Sequence, residues 1–145
     1  MIAKTGGKMR KLFILLGLLF FGIINLQAGT ATTLEEAKAM SARTGKPILM
    51  DFMTEWWGGC KEFARAAESD EGVQKKLDSV ILFQIDCEKG DGIELKKSFN
   101  IKGYPTFVLA NKDADTMYRW WGYSREMLFD KLDAGFSDLT TIKKF

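Results

Sequence analysis

The chain has 145 residues, with 21 basic and 19 acidic side chains, two cysteines and no histidine. This length predicts a single domain. The absence of histidine excludes catalysis by Cys-His and Ser-His-Asp arrangements. Two thiols without an imidazole also argue against a zinc site, so neither a metal nor a cofactor is expected.

The first 28 residues have the three parts of a secretory signal peptide. A basic start (Lys8, Arg10 and Lys11) precedes an apolar run from Leu12 to Ile24, and the small Ala28 provides a cleavage point before Gly29. We therefore expect residues 1–28 to be a signal peptide and residues 29–145 to be an exported domain of the periplasm or cell envelope. An uncleaved membrane anchor is the alternative, although the 13 apolar residues are fewer than the roughly 20 of a spanning helix.

Removal of this segment changes the charge of the chain. It holds four basic residues and no acidic one, which leaves 17 basic against 19 acidic residues and a net charge of −2. The working domain therefore has no basic excess that would favour nucleic acid as a partner. The membrane is an expected partner only if the signal segment stays uncleaved.

The rest of the chain alternates helical and extended patterns. Thr33 and Glu36 form a capping-box pattern at the start of the first helix. Helices are predicted over 34–43, from Gly58 to a break at 69–71, over 72–77, over 93–99 and after Ser124; strands are predicted over 48–53, 80–85, 105–109 and 117–121. Strands separated by helices pair in parallel, and the closing hairpin adds antiparallel strands, so the sheet is mixed.

Three side-chain patterns stand out within these elements. Asp51 interrupts the apolar strand 48–53, which is otherwise typical of a buried central strand. Trp120 and Trp121 are neighbours on one strand, so one should face the core and the other solvent or a groove. The last helix places four apolar residues on its core side: Met127, Leu128, Leu132 and Phe136.

Several segments, taken in order, resemble the thioredoxin family. The segment 46–52 (KPILMDF) and then 55–61 (EWWGGCK) is similar to the family's P-x-x-x-D-F followed by W-C-G-P-C-K. The segment 103–107 (GYPTF) resembles the family's cis-proline loop, and Gly122 matches a further family glycine. The resemblance implies an α/β thioredoxin fold, with a central mixed sheet flanked by helices in a single domain. The loop 88–92 is similar to that of exported bacterial members.

The active-site motif departs from the family pattern. Trp57 occupies the place of the nucleophilic first cysteine, and Cys60 matches the second, resolving cysteine. Asp51 matches the family's buried carboxylate, and Pro105, after Tyr104, matches the proline that is cis in the family. Dithiol exchange needs two sulfurs on one loop, and tryptophan cannot attack a disulfide. The ordinary two-cysteine cycle within the loop is therefore excluded.

Two fates of the remaining thiols stay open. Cys60 begins a helix, which favours the thiolate, but the family buries this position, which makes a thiol inert. A neutral Asp51 could relay a proton to it, whereas an ionised Asp51 would repel a thiolate. Cys87 follows a parallel strand at the same sheet edge and is a candidate second thiol, which could pair with Cys60 if their Cα atoms lie within about 7 Å.

Two functions follow from this degenerate motif. In the first, the chain binds an exported protein or peptide through Trp57, Tyr104 and Pro105, since family members pair an extended substrate with the backbone beside this proline. In this interpretation any redox activity uses one thiol at most. In the second, the chain is a thiol–disulfide oxidoreductase that uses Cys60 alone or with Cys87, assisted by Asp51.

Overall fold

The computed structural model describes residues 29–115 and 117–142. The predicted signal segment lies outside these residues. The strands are β1 (Thr30–Ala31), β2 (Ile48–Met53), β3 (Ile81–Asp86), β4 (Thr106–Ala110) and β5 (Met117–Trp121). The helices are α1 (Leu34–Thr44), α2 (Gly58–Ser69), α3 (Glu71–Leu77), α4 (Gly92–Ser98) and α5 (Arg125–Ile142). Within the described ranges, no helix combines the length and apolar character that crossing a membrane requires.

The five strands form one mixed sheet in the order β1-β3-β2-β4-β5. β1, β3 and β2 run parallel, and β4 and β5 are antiparallel to their neighbours. The predicted α/β architecture with a mixed central sheet is therefore confirmed. Strand β1 is absent from the predicted elements, because a strand of two residues is too short to give a period and is defined only by its pairing with β3.

Capping residues set the ends of the first helix. The Thr33 hydroxyl accepts a hydrogen bond from the backbone N–H of Glu36 at 3.1 Å, as the capping box predicts. The Glu36 carboxylate, however, accepts from the N–H and hydroxyl of Thr32 rather than from Thr33. The helix ends at Gly45, whose φ of 73° is the left-handed conformation that glycine adopts without strain.

Apolar side chains fill both faces of the sheet. One core cluster, under α1 and α4, includes Met50, Phe52, Ile85 and Val108. The other, under α2 and α5, includes Leu49, Phe63, Phe107, Trp120, Leu128 and Leu132, with Met127 and Phe136 packed against it. The predicted core face of the last helix is therefore confirmed, as is the alternation of Trp120, which is buried, with Trp121, which is exposed.

Where an element boundary differs from the prediction, it differs by one residue. Strand β4 starts at Thr106 rather than Pro105, because proline has no N–H for the ladder, although its carbonyl still accepts from Gly122 at 2.9 Å. Helix α3 starts at Glu71, since the Asp70 carboxylate accepts from the backbone N–H of Val73 at 3.0 Å.

Candidate functional site

The motif loop joins the buried strand β2 to helix α2. Trp57 is the N-cap of α2, in extended conformation, and its side chain makes no capping hydrogen bond. The helix begins with Gly58 and Gly59, and Cys60 is its third residue. The tryptophan therefore stands where the helix presents its free N–H groups, and the cysteine lies one turn inside.

Cys60 is a buried thiol, with only 2% of its surface exposed. Burial raises its pKa above the ordinary value, and the charge of Asp51 acts in the same direction. A hydrogen bond from the backbone of Thr54 opposes these effects without cancelling them. Because the thiolate is the nucleophile in thiol exchange, this environment keeps Cys60 in its unreactive protonated form at neutral pH.

Asp51 lies in the middle of β2 with 1% of its surface exposed. The Gln84 side-chain amide on β3 donates to its Oδ2 at 3.3 Å, and its Oδ1 has no hydrogen-bond partner among the described residues. Burial raises the pKa of Asp51 from 3.8 to about 7, and the Gln84 hydrogen bond opposes this only in part. The carboxyl is therefore a group that gains and loses a proton near neutral pH.

Cys87 follows β3 and is also buried. Its thiol contacts the carbonyl oxygen of Ile85 at 3.7 Å. Burial raises the pKa of Cys87 to about 11, although the positive charge of Lys96 and a hydrogen bond to Tyr104 oppose the shift. This thiol is protonated at neutral pH.

The two cysteines are unpaired in the structure. Both lie near the end of β2: the backbone N–H of Cys87 donates to the Met53 carbonyl at 2.9 Å, and the backbone of Thr54 forms a hydrogen bond with the Cys60 thiol. The Cys60–Cys87 disulfide that the sequence left open is not formed.

The loop before β4 lies directly against the motif loop. The Tyr104–Pro105 peptide bond is cis. A Cβ placed on Gly59 would lie 3.2 Å from Cδ of Pro105 and 3.8 Å from the Trp57 indole, so Gly59 packs closely beside both residues. Pro105 is buried and Tyr104 is half-buried, with the Lys96 ammonium 5.3 Å from its ring centre.

Two tryptophans extend this surface into solvent. Trp57 is 46% exposed and Trp56 is 58% exposed, and their rings pack edge to face with centroids 5.6 Å apart. The Trp56 indole N–H donates to the Glu88 carboxylate, 32 positions along the chain. The structure therefore brings Asp51, Cys60, Trp57 and the 104–105 loop together around the end of β2, and Cys87 is linked to this region through Asp51 and Tyr104.

Some residues of this region were not predicted from the sequence. Gln84 contacts Asp51, and Glu88 contacts Trp56. Both contacts depend on how β2 pairs with β3, which no local sequence pattern reveals. One of Trp120 and Trp121 was expected to face solvent or a groove; this is Trp121, which lies beside Gly103, where a Cβ would sit 2.6 Å from its indole nitrogen. Among the described residues, no group of three or more His, Cys, Asp or Glu could hold a metal ion.

Comparison with known proteins places this site in a family. The family model described as thioredoxin-like matches residues 29–112, more than half of the chain. The chain belongs to the thioredoxin-like family. Solved thioredoxins share the fold: wild-type thioredoxin h from poplar (TM-score 0.61, 23% identity, 73% of this chain and 93% of that one) and thioredoxin from Fasciola hepatica (TM-score 0.58, 19% identity, 74% and 98%). The predicted thioredoxin fold is confirmed.

Curated relatives of this thioredoxin-like chain are much longer proteins. It is 33% identical over 76 residues to the thiol:disulfide interchange protein DsbD of Actinobacillus pleuropneumoniae, and 34% identical over 88 residues to that of Yersinia pestis. These matches cover 51% and 59% of this chain but only 13% and 14% of the relatives. The chain is therefore related to one part of DsbD, a protein of thiol–disulfide exchange.

Proposed function

We propose that this thioredoxin-like protein is exported and binds an extended segment of a protein partner on the face formed by Trp57, Tyr104 and Pro105. Any redox activity is limited to a single thiol. The observation that carries the proposal is the replacement of the motif's first cysteine by an exposed tryptophan. An exposed indole occupies the helix N-terminus, where a nucleophilic thiol would stand, and the remaining Cys60 is buried.

The backbone beside Pro105 is suited to pairing with an extended chain. Tyr104 precedes β4, and the backbone hydrogen bonds that join described residues outside the helices and strands use neither its N–H nor its C=O. An added peptide can therefore pair with this residue as in β-augmentation. The exposed ring of Trp57 is a large apolar anchor next to that backbone, and tryptophan is among the residues that contribute most at interfaces.

Export is supported by the form of the first 28 residues and by the relatives. Residues 1–28 combine a basic start, an apolar run and a small residue before Gly29. The DsbD relatives are named for thiol:disulfide interchange, and disulfides persist in exported compartments. A protein partner with cysteines in the periplasm or cell envelope is the class that this proposal assigns.

The proposal is tested by binding to an unfolded protein. The probe is reduced, carboxymethylated α-lactalbumin, an extended chain with no free thiol, with its Kd measured by calorimetry. We expect Trp57→Ala to raise the Kd by about tenfold or more, as for an interface anchor. Ile93→Ala, which removes another exposed apolar side chain on α4, should leave it unchanged. Equal binding by the Trp57 variant and the parent would overturn the proposal.

Asp51 favours a second candidate function, residual redox activity. Its carboxyl titrates near neutral pH and its charge acts on both buried thiols, so the ionised form of Asp51 could accept the proton of Cys60 during exchange and the neutral form could return it. Thiol labelling distinguishes the two functions. We expect no cysteine to react in the native protein and both to react after denaturation. Insulin reduction that is lost in Cys60→Ser but kept in Cys87→Ser would establish the redox function instead.

A further inference from the structure

A groove of about 480 Å³ adjoins the proposed binding face on the side of β5. It lies between the loop that leads to Pro105 and the end of the edge strand. Its lining includes Lys102, Gly103, Thr106, Arg119 and Trp121. Two of these side chains are cationic and none is acidic.

The wall of the groove is the indole of Trp121, which is 67% exposed. The ring lies so close to Gly103 that a Cβ there would be 2.6 Å from its Nε1 and 3.2 Å from its Cδ1. Only glycine leaves room for this placement. The backbone of the loop therefore supports one side of the indole, and the rest of the ring faces solvent.

Among the residues that the structure describes, the two cations of the groove have no acidic partner. Lys102 and Arg119 are exposed, and neither forms an ion pair with any residue of the described ranges, 29–115 and 117–142. Arg119 precedes Trp121 by two positions on β5, so the two side chains share one face of the strand. In a domain with more acidic than basic residues, this is a local positive patch beside an exposed aromatic ring.

The groove lies next to Pro105 along the chain, because Gly103 and Thr106, which flank the Tyr104–Pro105 pair, both line it. The N–H of Gly122, directly after β5, donates to the Pro105 carbonyl at 2.9 Å. β4 pairs with β5 so that Thr106 lies opposite Trp121. β5 is the last strand of the sheet and its outer edge has no strand beside it in the described chain. An extended peptide that passes Tyr104 can therefore continue into the groove.

We propose that this groove binds an acidic stretch of the partner, with carboxylates at Lys102 and Arg119 and an apolar side chain against Trp121. The inference rests on the proposed function, because the acidic stretch flanks the segment held at Trp57 and Pro105. Complementary charge would make the groove a determinant of partner choice. It assigns to the partner an acidic sequence next to its docking segment.

A pair of synthetic peptides tests the charge requirement. Both are short, capped and free of cysteine; one alternates valine with aspartate and glutamate, and the other replaces the acids with asparagine and glutamine. Calorimetry measures Kd with the purified protein at about 0.15 M salt. We expect the acidic peptide to bind at least about tenfold more tightly than the amide peptide. Equal affinities would overturn the proposal.

Charge reversal locates the binding to the groove. We expect Arg119→Glu and Lys102→Glu each to weaken the acidic peptide by about fivefold or more, and Trp121→Ala by about tenfold. Lys75→Glu is the matched control, because it makes the same charge change on exposed α3 and should have no effect. An equal loss in the Lys75 variant would reveal general attraction and overturn the proposal.

Two further measurements separate this proposal from its alternatives. Binding of carboxymethylated α-lactalbumin that depends on Trp57 but not on Arg119 would retain the proposed function and reject the acidic groove. Peptide binding that depends on Arg119 but not on Trp57 would do the reverse. Tighter binding of a single-stranded oligonucleotide or of vesicles rich in phosphatidylserine than of the acidic peptide would also overturn the assignment to a protein partner.

Discussion

Trp56 donates its indole N–H to both carboxylate oxygens of Glu88, at 3.0 and 3.1 Å. A second contact runs beside it, because Lys89 pairs with Glu55 at 2.7 Å. The motif loop is thus joined at two consecutive residues to the loop that follows β3. These contacts hold the loop that carries Trp57 without any covalent link to the second loop.

We expect Glu88→Ala to release Trp56 while changing stability little. The pair is exposed, so the free energy of unfolding should fall by less than about 1 kcal/mol. The indole N–H of Trp56 should exchange faster with solvent and shift its resonance in ¹H–¹⁵N spectra. Glu94→Ala removes an exposed carboxylate of α4 that pairs with Lys97 and serves as the control. An unchanged Trp56 resonance in the Glu88 variant would contradict this assignment.

Asp51 makes stability depend on pH in a defined direction. Its folded-state pKa, about 7, lies above its ordinary value of 3.8. Below about pH 4 the carboxyl is neutral in both states and adds no pH dependence. Between about pH 4 and 7 the unfolded chain has released the proton and the folded chain retains it, so stability falls as the pH rises. Above about pH 7 both states are ionised, and the loss levels at on the order of 4 kcal/mol.

Asp51→Asn tests this dependence by urea unfolding across the pH range. The stability of the variant relative to the parent should rise by up to about 1.4 kcal/mol per pH unit between about pH 4 and 7, and then become constant. Because the amide itself adds only a constant offset, the shape of the curve is the result that matters. Asp91→Asn, at an exposed carboxylate, is the control. A difference that does not vary with pH would mean that Asp51 is ionised throughout.

Gly92 is the glycine whose replacement should be most damaging. A Cβ there would lie 1.9 Å from the carbonyl oxygen of Asp86, a backbone atom at the end of β3. We expect Gly92→Ala to lower the free energy of unfolding by more than about 2 kcal/mol, because strand and helix must move apart. Gly58→Ala, where nothing lies within 4 Å, should be neutral or stabilising. Equal stabilities of the two variants in chemical denaturation would contradict the packing of α4 on β3.

The sequence predicted most of the fold because its elements carry local signals. The apolar run 48–53, the cap at Thr33 and the core side of the last helix each depend on near neighbours along the chain. It also predicted that Asp51 is unusual and that Trp120 and Trp121 face opposite ways. Which tryptophan is buried depends on the pairing of Phe107 with Trp120. The sequence of one strand alone does not predict its register with the next.

The site was harder to predict because its contacts join distant positions. Sequence alone left open whether Cys60 and Cys87 pair; the structure has both thiols free, and their placement depends on how β2 and β3 end side by side. Gln84 contacts Asp51 across 33 positions, and Trp121 contacts the loop before Pro105. The groove beside Trp121 could not be predicted for the same reason, since Lys102 and Arg119 line one groove only after β5 has paired with β4.

The variant Trp57→Cys tests whether the other residues of the motif still support dithiol exchange. A cysteine at this N-cap would stand at the free N–H groups of α2, which favour a thiolate, with Cys60 three residues along the same helix start. We expect this variant to form a disulfide between residues 57 and 60 on oxidation. In the reduced form it should reduce insulin well above the level of the parent.

Two further variants make this result specific to the dithiol. Trp57→Ser removes the indole without adding sulfur and should stay inactive. This result would show that removing the indole does not by itself make Cys60 active in exchange. Trp57→Cys combined with Cys60→Ser should form a mixed disulfide with substrate and fail to release it, because release needs the second thiol. If Trp57→Cys folds, binds unfolded protein and still forms no internal disulfide, then the placement of Cys60 or of Gly59 against Pro105 is no longer suited to exchange. The loop would then be specialised for binding beyond the loss of one sulfur.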